Sequence, residues 1–268
     1  MRTPFSLSPN PVLMYTPPSL LASLDKIRFM ITERQGLALI LGDAGAGKST
    51  VLRYLLAEYS ADGFTTGLIY QTEFPSPYAF LKAICSQFGI GPARSLALQH
   101  AALEEYLVGE FKAGRTVILF IDEGQRLTAE LLEVIRALLN FETYEDKLLQ
   151  IVVAGTLELR DRILAKKNKA LRSRVFAPCL LTNLGPSETA EMIQFRCDRF
   201  GMKNPFTDEA AERIYALSTG NPRTILRLCA HAWNMAKKLK QSQISGDLIS
   251  AASLTTNIPE AEAQPAVA

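Results

Sequence analysis

The stretch "GLALILGDAGAGKST", residues 36–50, joins a short apolar run to a loop of three glycines and two alanines that closes on a lysine and two hydroxyls. An apolar run of this length, bounded by glycines, reads as a buried strand. Helical spacing of apolar residues resumes from Lys48 to about Tyr59. A strand, a glycine-rich turn of pattern GxxxxGK[ST] and a helix together form a phosphate-binding loop. The glycines let successive peptide N–H groups turn inward into an anion nest, and the helix behind them adds its positive end. Gly42, Asp43, Ala44, Gly45, Ala46, Gly47, Lys48, Ser49 and Thr50 are therefore expected to hold a nucleotide's phosphates. Lys48 would reach the β- and γ-phosphates, and the Ser49 hydroxyl would ligate Mg2+.

Working outward, the next chemical signal is "VILFIDE", residues 117–123. An almost wholly apolar run is expected for a central strand of a parallel sheet. Asp122 then emerges at the carboxyl edge of that sheet, where ligands of α/β proteins bind. Following a phosphate-binding loop, it is placed to hold Mg2+, and Glu123 to orient or deprotonate the attacking water. No guanine-specifying NKxD element occurs, since "KKNKA" at 166–170 lacks its aspartate, so ATP is the expected nucleotide.

The remaining pattern alternates. Strands are expected near 65–72, 115–123, 148–156 and 176–181, and helices at 18–34, 76–89, 97–113 and 128–142, the last with Thr128 as N-cap. This predicts a three-layer α/β sandwich around a parallel sheet. After Leu181 the strands stop, and helices are expected at 187–199, 207–218, 222–240 and 244–253. The predicted organisation is an irregular segment at 1–17, an α/β nucleotide-binding domain at 18–183, a small all-helical lid at 184–256 and a disordered tail at 257–268.

Composition bounds the function classes. In 268 residues, 29 Lys and Arg stand against 27 Asp and Glu, which speaks against a generally basic nucleic-acid binder while leaving a local patch open. The four cysteines form no CxxC element and read as buried thiols in a reducing compartment. There is no signal-peptide h-region and no apolar run of ~20 residues, so a cytoplasmic protein without a membrane span is expected.

The chain resembles AAA+ ATPases of the ExeA (GspA) type. The resemblance spans roughly residues 3–255 and is carried by "PFSLSPNPVLMY", "GDAGAGKST", "LFIDEGQRL", "LLNFET", "LLQIVVAGTLEL", "LRSRV" and "GNPRTI". It implies a polar residue touching the γ-phosphate or its water after the strand that follows the Asp-Glu strand. Thr156 occupies that place, with Asn140 as a second candidate, although Thr156 equally suits an N-cap for the helix after it. It implies an arginine finger acting on a neighbouring subunit, for which Arg174 and Arg172 are the candidates. It also implies that Arg223, in "GNPRTI", reaches the nucleotide from the helical domain; a cation in a first helical turn is disfavoured by the helix dipole unless an anion meets it. Pro4, Phe5 and Tyr15 are candidates for the adenine side of the site.

Two departures from the family stand out: Gly124 where alanine is usual, and "GTLEL" where "GQPEL" is usual. Secretion-type members continue into a membrane span and a peptidoglycan-binding domain, neither of which these residues contain. Stand-alone ATPases of the TnsC, TniB and MuB manner are similar in build and direct transposases on DNA. The function expected is an ATP-hydrolysing AAA+ protein, working as a homo-oligomeric ring or filament, that uses ATP and Mg2+ to switch assembly or remodel a partner. The leading partners are duplex DNA and a transposase-like protein, with Lys166, Lys167 and Lys169 or Lys237, Lys238 and Lys240 meeting phosphates. The alternatives are an ExeA-like assembly ATPase acting through a separate membrane partner, and a nucleotide-dependent signalling switch.

Overall fold

The computed structural model describes residues 3–255, so the tail at 257–268 lies outside the described residues. The chain forms two compact units: residues 9–182, and residues 183–255 together with 3–8.

The first unit is built on a five-stranded parallel sheet of β1 (Leu37–Gly42), β2 (Thr65–Ile69), β3 (Val117–Ile121), β4 (Leu149–Gly155) and β5 (Val175–Leu181). The spatial order is β2-β3-β4-β1-β5. Strand β1 is therefore interior, with Leu37 opposite Ile151 of β4 and Gly42 opposite Leu181 of β5. Alternate residues go to opposite faces, as the pleat requires. Ala38, Ile40, Ile118, Phe120, Val152 and Ala154 pack with α1 (Pro18–Thr32) and α2 (Lys48–Ala61). Leu39, Leu41, Leu119, Ile121, Ile151 and Val153 pack with residues of α3 (Pro77–Gln87), α4 (Leu96–Lys112), α5 (Ala129–Leu138), α6 (Leu157–Leu164) and α7 (Lys169–Arg172). The three-layer α/β sandwich expected from the alternating pattern is the fold.

Several caps are made by the residues the sequence offers. Ser76, Ser95 and Thr128 accept from the third residue of α3, α4 and α5 respectively. Helix α5 stops at Leu138, short of the expected 142, because Glu142 pairs with Lys147 in an antiparallel bridge. Strand β2 stops at Ile69 rather than 72; beyond it Tyr70 and Gln71 are exposed and Thr72 is fully buried. The bases of β2 and β3 are locked by Glu110, whose carboxylate accepts from the Thr65 hydroxyl (2.6 Å) and from Arg115 Nε (2.8 Å).

The second unit holds α8 (Pro186–Asp198), α9 (Asp208–Ser218), α10 (Pro222–Leu239) and α11 (Gly246–Leu254). Thr207, Asn221 and Ser245 cap the last three of these helices. Gly220 has φ +75°, and any side chain there would run into the Leu184 carbonyl; its own carbonyl accepts from Leu184 N–H at 2.9 Å. Phe5 belongs to the core of this helical unit. It is 1% exposed and packs edge-on against Phe206 (5.3 Å) and Trp233 (6.3 Å), inside this helical unit. Beside it the buried Arg196 donates to the Pro4 carbonyl (3.3 Å), and burial pushes its guanidinium down to about 10.

Two outcomes are expected. Phe5→Ala should destabilise the helical unit by about 3–5 kcal/mol, measured by denaturant unfolding, because a buried phenylalanine leaves a cavity when truncated. The Arg115 guanidinium and the Thr65 hydroxyl hold Glu110 down at about 2, against 4.5 for a free carboxyl. A depressed folded-state value stabilises the fold above the unfolded pKa, and that contribution is lost as pH falls from about 4.5 through about 2. In urea titrations across that range, Glu110→Gln should show a shallower loss of stability than the parent chain.

Candidate nucleotide site

The site assembles at the carboxyl ends of three adjacent strands. β1 leads into the loop at 43–47, β3 into Asp122 and Glu123, and β4, between them, into Thr156. Residues far apart in sequence thus converge on one sheet edge, where α/β folds place ligands.

The loop is shaped by glycines where no other residue fits. Gly45 has φ +86° and Gly47, at the start of α2, φ +99°. A methyl group on Gly42 would lie 2.9 Å from the Leu181 carbonyl oxygen and 3.3 Å from Ala46 Cβ. Beyond the turn, α2 begins at Lys48, and a helix start leaves its first peptide N–H groups without intrahelical acceptors, which favours an anion there. The Lys48 ammonium crosses this loop, donating to the carbonyls of Gly42 (2.9 Å) and Asp43 (2.8 Å).

Asp122 is 8% exposed; its N–H donates to Ile69 O and its Oδ1 accepts from Glu123 N–H, both at 2.9 Å. Glu123 adopts a left-handed backbone (φ 54°, ψ 36°), unusual for a residue with a side chain. Three bonds hold it there: its N–H to Asp122, and its carbonyl to the buried Thr72 hydroxyl (2.9 Å) and to Arg126 N–H (2.9 Å). Its carboxylate accepts from Gln125 Nε2 at 2.6 Å.

Thr156 takes the N-cap position of α6, but its side chain makes no cap bond, and its buried hydroxyl has no partner among the described residues. Its N–H donates instead to Gln125 Oε1 (3.1 Å). The second candidate, Asn140, accepts from Arg174 Nη2 (2.8 Å), and Arg174 also donates to the Ala170 carbonyl. Arg172 makes a single longer bond to the Leu164 carbonyl (3.3 Å). Arg223 is exposed in the first turn of α10, with no ion pair among the described residues. Sequence reasoning missed Thr72 and Gln125. The only trace either leaves is a polar residue near the end of an apolar run.

These residues suit a magnesium nucleotide. An unbonded buried hydroxyl, one carboxylate and the Ser49 hydroxyl lie around a loop that side chains would fill. Among the described residues no cluster of three or more His, Cys, Asp or Glu could cage a metal by itself. Mg2+ is usually held by one or two carboxylates plus phosphate and water.

Comparison with known proteins bears on the fold and the family. Residues 31–163 match the family model described as an AAA domain. General secretion pathway protein A of Aeromonas hydrophila is 32% identical over 234 residues, covering 85% of this chain and 42% of that protein. The chain carries an AAA domain. It spans less than half the length of that curated relative. Its AAA fold is shared with the Aeropyrum pernix ORC2 protein in ADPNP–ADP complexes (TM-score 0.65, 16% identity, 94% of this chain and 72% of that one). It is also shared with Drosophila ORC bound to DNA (0.70, 16%, 96% and 67%) and with the Thermotoga maritima RuvB Holliday junction branch migration motor (0.60, 18%, 92% and 74%). Among the described residues no helix of this AAA protein is long and apolar enough to cross a membrane, and all four cysteines are buried free thiols.

The departure at Gly124 has a packing cause in this AAA domain. A methyl there would lie 2.6 Å from Val153 Cγ1, 2.9 Å from Leu159 Cδ2 and 3.1 Å from the Ala154 carbonyl. Gly124→Ala, although it restores the residue usual in the family, should therefore cost about 1–3 kcal/mol of stability in denaturant unfolding, as overpacked sites do. Trimming Val153 to alanine in the same chain should recover part of that loss.

Proposed function

We propose that this AAA protein binds Mg-ATP in the loop at 42–50, hydrolyses it, and uses the cycle to switch its own assembly or remodel a partner. The observation that carries this reading is the convergence of the loop, Asp122, Glu123 and the unbonded Thr156 hydroxyl at the ends of β1, β3 and β4. Gly42–Thr50 hold the phosphates, and Lys48 exchanges its loop carbonyls for phosphate oxygens. Ser49 and Asp122 hold Mg2+, which when bound offsets charge on the phosphates. Glu123 orients the attacking water and takes its proton, while the Thr156 hydroxyl meets the γ-phosphate or that water. Arg172 or Arg174 serves a neighbouring subunit in a homo-oligomer; Arg172 is the less engaged of the two. Arg223, a helix-start cation with no ion pair among the described residues, serves as the nucleotide-state sensor of the helical unit.

For the partner, the reading favoured is duplex DNA with a transposase-like protein. Support comes from the exposed Lys166, Lys167 and Lys169, which with Arg172 and Arg174 form a basic segment containing no acid. One fold neighbour, Drosophila ORC, is a structure bound to DNA, which is consistent with it. A second reading, an assembly ATPase for an envelope machine, is favoured by the 32% identity to General secretion pathway protein A.

The test is steady-state ATPase with and without duplex DNA, beside mass photometry with ATP. Glu123→Gln should retain ATP binding and lose roughly 10²- to 10⁴-fold in kcat, and Lys48→Ala should lose binding. DNA should stimulate turnover at low salt, with Lys166→Gln/Lys167→Gln/Lys169→Gln reducing both the affinity and its salt dependence. Normal hydrolysis by Glu123→Gln overturns the base assignment. No DNA binding at low salt with ATP present overturns the DNA reading and leaves the envelope one.

A further inference from the structure

We infer that Gln125 is a positioning residue that ties the carboxylate of Glu123 to the peptide at Thr156, so that the aim of the base depends on the state of the β4–α6 junction. This rests on Glu123 being the base. The backbone of Glu123 is fixed at both ends, by Asp122 on one side and by Thr72 and Arg126 N–H on the other. The side chain retains its own torsions, and what limits them is the bond from Gln125 Nε2 (2.6 Å). The Arg126 side chain does not substitute for it. Its Nε is 4.0 Å from Glu123 Oε2, beyond hydrogen-bond range, and its guanidinium is engaged with Glu73 at 2.6 Å.

The amide of Gln125 has only one workable orientation. Its carbonyl takes the Thr156 N–H (3.1 Å) and its NH2 serves the carboxylate. A flipped amide would set NH2 against N–H and carbonyl against carboxylate, losing both bonds. The tie is short because two glycines let the chain close up here. A methyl on Gly155 would lie 3.2 Å from Gln125 N, and one on Gly124 would collide with Val153 and Leu159. Gln125 therefore spans from the end of β3 to the end of β4. One end is bonded to the water-activating group; the other is bonded to the residue whose hydroxyl is buried without a partner. A shift of the Thr156 peptide toward or away from phosphate pulls the Glu123 carboxylate with it.

The experiment is a double-substitution cycle on the full chain, read as kcat and as the Kd of a fluorescent ATP analogue. Gln125→Met keeps the shape and removes both hydrogen bonds. It should lower kcat by roughly 10- to 100-fold, as a misaimed group does, while the nucleotide Kd stays within about twofold. Thr156→Val removes the hydroxyl and keeps the N–H, whereas Thr156→Pro removes both. The backbone is compatible with proline, because φ at Thr156 is −73°. Thr156→Pro should therefore be slower than Thr156→Val in the parent chain, and the difference should vanish in the Gln125→Met background. Gln125→Glu, similar in shape but unable to donate as a carboxylate, should be as slow as Gln125→Met. Parent-level kcat for Gln125→Met, or an unchanged Pro–Val difference in its background, overturns the inference. Glu123→Gln separates the two failures. If it is inactive while Gln125→Met is normal, only the tie is wrong; if it is active, the base assignment itself has failed.

Discussion

The constraint on which the rest of the site depends is the absence of a side chain at Gly42. This residue ends the interior strand β1 directly opposite Leu181, leaving no room for even a methyl group beside the Leu181 carbonyl. The loop that follows is therefore drawn tightly over the strand end, and α2 starts directly after it. The strand order then does the assembling. With β4 beside β1 and β3 beside β4, each chain segment that leaves the sheet at this edge delivers its first polar residues to one place. The sequence separation between Lys48, Asp122 and Thr156 is irrelevant once the sheet is formed.

Where physics is local, the sequence carries it. The apolar runs of β1, β3 and β4, the serine and threonine caps and the left-handed glycines of the loop each follow from residue type and spacing within a few positions, and so the three-layer fold and the loop could be read directly. Two kinds of feature escaped. One is pairing across the sheet edge: Thr72 and Gln125 matter because of the strand that lies next to them, and no periodicity marks that. The other is which unit claims an irregular segment. Phe5 sits in a proline- and serine-rich stretch without helical or strand spacing, so its burial against Phe206 and Trp233 was invisible. The chain passes between its two units twice, near residues 8–9 and 182–183.

Thr156 shows how a structure sharpens an ambiguity that sequence leaves even. A threonine before a helix is an ordinary N-cap, and its hydroxyl would then accept from the helix's first turn. Here the hydroxyl is buried and has no partner among the described residues, which costs free energy that a cap would recover. Asn140, its rival, is already engaged by Arg174. A polar group left unsatisfied beside the glycine loop proposed to bind phosphate is the kind of deficit that a ligand removes.

The same reasoning applies to the backbone at Glu123. A left-handed conformation at a residue with a side chain costs of order 1 kcal/mol or more, and it survives only where surrounding bonds over-determine it. Asp122, Thr72 and Arg126 N–H supply those bonds. A glycine would adopt the turn without strain and would fold as well or better. The chain instead keeps a carboxylate there, adds the buried Thr72 to hold its carbonyl, and places Gln125 to hold its side chain. Folding requires none of these three choices individually; the proposed role of Glu123, orienting one water at a phosphate, gives all of them one purpose.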